Sequence, residues 1–421
     1  MDHFTYINGE MFAENVALRT IAEEVDTPVY VYSTATLKRH YNVFKQSLGD
    51  LDTLVCFAMK ANSNQAVLKT LAAEGAGADV VSGGELARAL KAGIPAGKIV
   101  FSGVAKTKAE MRAALDAGIL QFNVESEPEL LALSNVASAM GKVAPVSMRI
   151  NPDVDAQTHA KISTGLAENK FGVAWQKVQS IYAMIKDLPG VEAVGIDMHI
   201  GSQLTALTPY DKAFARIVKL VTDLRAAGHN IKHLDLGGGL GIPYDPEASA
   251  PPGPDAYGLL VKEHTKDLDC KLIFEPGRMI AGNAGVLLSK VEYIKDGDDR
   301  RFVILDAGMN DLSRPAMYDA FHHIDPVTQA ASDADMQSVD FVGPVCESGD
   351  TFAKARKTTP LKAGDLVVIR SSGAYGAVMA NTYNSRLLVP EVMVNDKQMA
   401  VIRKRETIED LIAKDTLPEW L

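Results

Sequence analysis

Apolar and polar positions along this chain change rhythm twice. From about residue 34 to about 276, short apolar β-type runs recur, each followed by a stretch of helical composition. The runs lie near 54–57, 78–81, 99–101, 121–124, 145–150, 194–199, 233–236 and 271–274. Between them, segments such as Ser82 to Leu90 and Glu127 to Leu133 carry apolar residues at helical spacing behind a serine or an acidic start. Eight strands alternating with helices fit a (β/α)8 barrel, the TIM-barrel architecture, better than an open doubly wound sheet. No GxGxxG follows the first strand, which counts against the open sheet.

The ends of the chain read differently. Val286 to Tyr293, Phe302 to Leu305, Leu366 to Ile369 and Pro390 to Val394 are β-type and separated by turn residues, with Lys362-Ala363-Gly364-Asp365 a good turn signal. Near the start, Phe4, Tyr6, Ile7 and the run Pro28 to Tyr32 also look β-like. The expected organisation is a barrel over residues 34–276 and a second, mainly β domain built from 1–33 and 277–421. The segment Ala250 to Pro254 is expected as a rigid loop inside the barrel.

Composition narrows the partners. With 43 basic and 53 acidic residues the net charge is -10, which argues against nucleic acid or an anionic membrane. No apolar run reaches transmembrane length, and the first residues lack the basic start and apolar core of a signal peptide. Three cysteines without a CxxC pair suit reduced thiols, so a cytoplasmic protein is expected.

In such a barrel the chemistry gathers where strands end. Polar and glycine residues occur at all eight ends. Lys60 follows the run Thr53 to Cys56 within Phe57-Ala58-Met59-Lys60-Ala61-Asn62. A desolvated lysine there loses its proton readily and can form an imine with a carbonyl, although a solvated strand-end lysine does neither. Gly237-Gly238-Gly239-Leu240-Gly241 can aim backbone N–H groups at an anion, or serve only as a turn. Glu275 can keep a heteroaromatic nitrogen protonated or pair with Arg278. His199 reads as a core histidine unless a flat cofactor offers a stacking partner, and no motif suggests a metal. An imine-forming lysine, phosphate-binding glycines and an acid for a ring nitrogen together describe pyridoxal 5'-phosphate. In the second domain Cys346 beside Glu347 suggests a proton donor, against the alternative of a small buried thiol. Arg314 and Tyr318 suggest carboxylate recognition from an exposed turn, and Tyr375 adds a phenol between glycines.

Five of these segments resemble, in order, the fold-type III pyridoxal phosphate decarboxylases, and within them those acting on diaminopimelate. They are Phe57 to Asn62, His199-Ile200-Gly201-Ser202-Gln203, Asp235 to Gly241, Glu275-Pro276-Gly277-Arg278 and Gly343 to Asp350, and the likeness spans nearly the whole chain. The resemblance implies decarboxylation of meso-2,6-diaminopimelate to L-lysine and CO2, the last step of lysine biosynthesis. It implies Lys60 as the cofactor's imine partner, His199 stacked on the ring and Glu275 at the ring nitrogen. Ser202, Gly237, Gly238, Gly239, Gly277, Arg278 and Tyr375 would surround the phosphate. Arg278, Arg314 and Tyr318 would grip the substrate's distal carboxylate, with Glu347 on its distal amino group. Cys346 would donate the proton from the partner subunit of a homodimer. The resemblance also assigns Pro28 to Tyr32 to the β domain, so Lys60 ends the first barrel strand.

Two rivals remain at this level. An ornithine or arginine decarboxylase shares the lysine and cysteine, but its cationic distal group would meet Arg314. A non-catalytic decarboxylase-like regulator would be expected to lack Lys60 or Cys346, and both are present.

Overall fold

The eight apolar runs form parallel strands of one closed sheet: β1 (Thr53–Ala58), β2 (Gly77–Val80), β3 (Ile99–Phe101), β4 (Gln121–Val124), β5 (Ala144–Asn151), β6 (Val191–Asp197), β7 (His233–Asp235) and β8 (Lys271–Phe274). Each pairs with the next, and β8 pairs with β1, closing the barrel. This computed structural model describes residues 2–155, 170–331 and 333–421. It separates into two compact units: Lys38–Ile242 with Ala250–Ile280, and Met1–Leu37 with Pro243–Ser249 and Ala281–Leu421.

The strands are short because each apolar run is short, and caps start the helices between them. Ser82 accepts from Glu85 N to open the helix Gly83–Lys91, and Ser126 caps Glu127–Ala139 in the same way. Thr107 and Glu110 form a capping box on Lys108–Ala117.

Alternate strand residues point into the barrel; below the strand ends Cys56, Val100 and Ile273 are in apolar contact, with the buried Gln121 a polar exception. Close packing there demands a glycine. A Cβ on Gly77 would stand 2.3 Å from Lys98 O and 2.9 Å from Cys56 Sγ. Towards the C-terminal ends of the strands the same inward positions turn polar: Asp79, Ser102, Asn123, Arg149, Asp197, Asp235 and Glu275, all buried. The sequence alone predicts this change only at the strand ends.

In the second unit Val29–Ser33 runs antiparallel to Gly285–Asp296 and parallel to Glu391–Asn395, so N-terminal chain fills the middle of the β sheet. Alternation sorts its side chains. Val29 and Val31 join Met11, Leu18, Ile21, Val286, Leu288, Val368, Val392 and Val394 in one core. Tyr30 and Tyr32 face the other way and bond Asp311 O (2.6 Å) and Glu391 Oε2 (2.7 Å). Pro243–Ser249 also packs in this unit, with Tyr244 beside the His322 ring.

Lys106 is a deeply enclosed cation of the barrel unit. Lys106 Nζ donates to Gly103 O (2.8 Å), Asn123 O (2.7 Å) and Glu129 Oε1 (2.7 Å), and both charged side chains are almost completely buried. Glu129 Oε2 in turn accepts from Glu125 N. The pair therefore ties the loop after β3 to the end of β4. Lys106→Met would strand a buried carboxylate and should cost about 3–5 kcal/mol in urea unfolding. The double variant with Glu129→Leu should recover much of that loss.

Candidate functional site

β1 runs straight into a single 3-10 turn, Met59–Ala61, so Lys60 leaves the strand end in a turn and not in an open loop. Met59 and Ala61 on either side are buried. Lys60 itself is 38% exposed and its Nζ lies 3.1 Å from Asp79 Oδ2 at the end of β2. Of the two alternatives, a desolvated or a solvated lysine, the structure gives neither extreme: an ion pair with a fully buried carboxylate holds the half-exposed side chain at the barrel mouth. The other oxygen of that carboxylate, Asp79 Oδ1, has no hydrogen-bond partner among the described residues.

The glycine run follows β7. Gly237 and Gly239 take positive φ (64° and 100°). Gly238 lies so close to the neighbouring strand end that a Cβ would sit 2.2 Å from Glu275 O. Only glycine fits there. The amide of Gly238 donates to His199 Nδ1 (3.2 Å), so the ring's proton belongs on Nε2. Burial, with Arg149 and Lys60 nearby, pushes the His199 pKa well down and keeps the ring neutral. Arg278 NH2 donates to Ser202 Oγ (2.9 Å), which joins the loop after β6 to the segment after β8.

Glu275 is more deeply embedded than its sequence context suggests. Its Oε1 accepts from Asn123 Nδ2 (3.2 Å) and Ser102 Oγ (3.3 Å). Carboxylate oxygens of Asp197, Asp235 and Glu275 all lie within 4.8 Å of one another. Burial, then its acidic neighbours, push the Glu275 pKa well up, and Asp235 rises to about 6 for the same first reason. Arg149 opposes this crowd from β5 and pairs with Glu125 at 3.2 Å. Taken together these groups make a half-open, acid-rich mouth with one accessible amine, a neutral imidazole and a glycine loop.

The predicted residues of the β unit form two groups. Arg314 is buried at the start of the helix Arg314–Tyr318, which corrects the expectation of an exposed turn. Its NH1 lies 2.7 Å from His322 Nε2, and its guanidinium sits over the Tyr244 ring at 4.5 Å. Tyr318 is half-buried on the same helix. Cys346 and Glu347 belong to a loop wrapped around Asp350, whose carboxylate accepts from Val345 N and Met309 N (both 2.7 Å). Cys346 is exposed, against the buried-thiol alternative, and its amide is fixed by Asn384 Oδ1 at 2.8 Å. Glu347 is exposed too and hydrogen-bonds Tyr383. Tyr375 takes φ +57° and is half-buried between Ala374 and Gly376.

Sequence reasoning missed Asn123, Asp197 and Glu85, and took Asp79, Arg149 and Asp235 only as parts of strand ends. Glu85 is partly buried, caps the chain at Val81 N (2.8 Å) and feels Asp79 and Lys60. Burial raises its pKa from 4.5 to about 7. The folded protein therefore binds the extra proton, and stability from this group is full below about pH 4.5 and lost as pH rises through about 7. Glu85→Gln should flatten the decline of unfolding free energy across that window, measured by urea titration of cofactor-free protein at several pH values.

Residues 34–282 match the family model described as "Pyridoxal-dependent decarboxylase, pyridoxal binding domain". The chain is 51% identical to a diaminopimelate decarboxylase of Zymomonas mobilis over 99% of both chains. Its structure is similar to that of a diaminopimelate decarboxylase from Helicobacter pylori complexed with L-lysine (TM-score 0.90, 41% identity, covering 94% and 98% of the two chains). It is also similar to the M. jannaschii enzyme in complex with L-lysine (TM-score 0.92, 39% identity, covering 100% and 99%). The match covers the unit that carries Lys60, the glycine loop and Glu275, and the chain belongs to the pyridoxal-dependent decarboxylase family.

Proposed function

We propose that this chain decarboxylates meso-2,6-diaminopimelate to L-lysine and CO2, with pyridoxal 5'-phosphate as cofactor. The observation that carries the reading is the 51% identity that runs through 99% of both chains, the β unit included as well as the barrel. The barrel mouth fits the cofactor on its own features. An amine stands beside a buried carboxylate with an orphaned oxygen, a backbone cradle admits no Cβ, and a buried acid faces the interior.

In this reading Lys60 would hold the cofactor covalently and the substrate's D centre would take its place there. Neutral His199 would lie against the ring, and Glu275 would serve the ring nitrogen. Backbone at Gly237, Gly238, Gly239 and Gly277, with Ser202, Arg278 and Tyr375, takes the phosphate. Bound in this way, the cofactor supplies an electron sink for the pair left when CO2 departs. Cys346 gives its thiol proton to the α-carbon, acting from the partner subunit of a homodimer. Arg278, Arg314 and Tyr318 bind the distal carboxylate, and Glu347 binds the distal ammonium. A cytoplasmic location suits the reduced cysteines.

Choice of substrate follows from charge. Ornithine lacks the distal carboxylate, so its complex would leave the arginines facing an unpaired cation. Purified protein with cofactor should release CO2 from meso-diaminopimelate and little from ornithine; the reverse preference would contradict the assignment. Cys346→Ala should retain the cofactor yet lower kcat by about 10²- to 10⁴-fold, the usual range for a lost general acid. Unchanged turnover would remove Cys346 from the reaction.

A further inference from the structure

The buried amides behind Glu275 have no role in the reading so far. Asn123 is completely enclosed on β4, and its Nδ2 reaches Ser102 Oγ (3.2 Å), Asp235 Oδ2 (3.1 Å) and Glu275 Oε1 (3.2 Å). An asparagine amide can present either its oxygen or its nitrogen to a neighbour. Here the choice is set from below. Gln121, two residues back on the same face of β4, donates from Nε2 to Asn123 Oδ1 at 2.8 Å. Gln121 Oε1 in turn lies 2.8 Å from His233 Nδ1 at the start of β7. With Oε1 at that contact the imidazole donates from Nδ1, the Gln121 amine faces Asn123, and the Asn123 amine faces the acids, so the three orientations are mutually consistent. Burial and the flanking positive charge of Lys271 and Lys232 lower the His233 pKa, which favours the neutral ring.

We propose that Asn123 is a positioning residue for the cofactor's ring nitrogen, holding the Glu275 carboxylate through an amide whose orientation Gln121 and His233 lock. The proposal rests on the reading that Glu275 meets that nitrogen. The problem it solves is specific to this barrel. Carboxylate oxygens of Asp235 and Glu275 lie within 4.8 Å of each other, and Asp197 crowds both. Left to themselves, two carboxyl groups that close can turn towards each other. Asn123 donates to one oxygen of each, and Ser102 adds a donor to the same Glu275 oxygen. Donors to a carboxylate favour its ionised form. These donors work against the burial and the acidic neighbours that raise the Glu275 pKa, and they aim the carboxylate at the position a pyridine nitrogen would take.

The alternative is that the amides merely fill a polar layer of the barrel. Asn123→Leu removes the donors without adding charge, and Gln121→Met leaves Asn123 in place but unlocks it. The test compares cofactor dissociation constants, the pH dependence of the bound cofactor's absorption band, and kcat against KM. Asn123→Leu is expected to weaken cofactor binding about tenfold, as for a lost hydrogen bond to a charged group. Its absorption band should become pH-dependent between about pH 6 and 9 where the parent's is not, and kcat should fall with KM little changed. Gln121→Met should move the same readouts less far in the same direction. In a Glu275→Gln background the Asn123 substitution should have no further effect on the band. A pH-independent band in Asn123→Leu, or the same loss with and without Glu275, would overturn the proposal. Should Glu275→Gln alone leave both binding and band unchanged, the ring-nitrogen reading itself fails, and this proposal with it.

Discussion

Four buried carboxyl groups, Asp79, Asp197, Asp235 and Glu275, converge inside the upper half of the barrel, and much else in the unit answers to them. Charges of one sign in an enclosed space must be neutralised, paired or hydrogen-bonded. The barrel uses each device. Lys60 pairs with Asp79, Arg149 supplies a second cation from β5, and burial pushes the pKa values of Asp235 and Glu275 up, towards their neutral forms. Gly237 N and Asn123 supply donors to Asp235. Lys60 is thus both the amine at the mouth and part of the electrostatic balance beneath it.

The glycine loop is the second constraint, and it is steric. Gly238 must let Glu275 O pass within contact distance while its own N–H reaches His199. The loop after β7 therefore sets both the imidazole's tautomer and the approach of β8. Side chains at the barrel mouth are held by backbone and by neighbouring strands, so their positions follow from the packing of the sheet. In the β unit the corresponding framework is the Asp350-centred loop behind Cys346 and the His322–Tyr244 setting around Arg314.

Much of this was legible in the chain. Strand positions followed from short apolar runs, and the N-terminal run Pro28 to Tyr32 was recognisable as part of the β sheet. Lys60, the glycines and Glu275 stood out because they break the apolar pattern at strand ends. The inner acid network did not stand out, for a physical reason. Asp197 and Asp235 close their strands, where any polar residue is expected, and Asn123 lies inside a four-residue strand too short to display alternation. Polar residues two apart on β4, Gln121 and Asn123, were the available signal that this face looks onto a polar interior. Exposure was misjudged at Arg314, since burial of a long side chain depends on partners distant in sequence.

The central claim is that Lys60 is the residue that holds the cofactor. Borohydride reduction of the cofactor-loaded protein, followed by peptide mass spectrometry, fixes the cofactor to whichever lysine carries it. The account predicts the added pyridoxyl-phosphate mass on the peptide containing Lys60 and on no other. The same mass on a different lysine, or none after complete reduction, would contradict it.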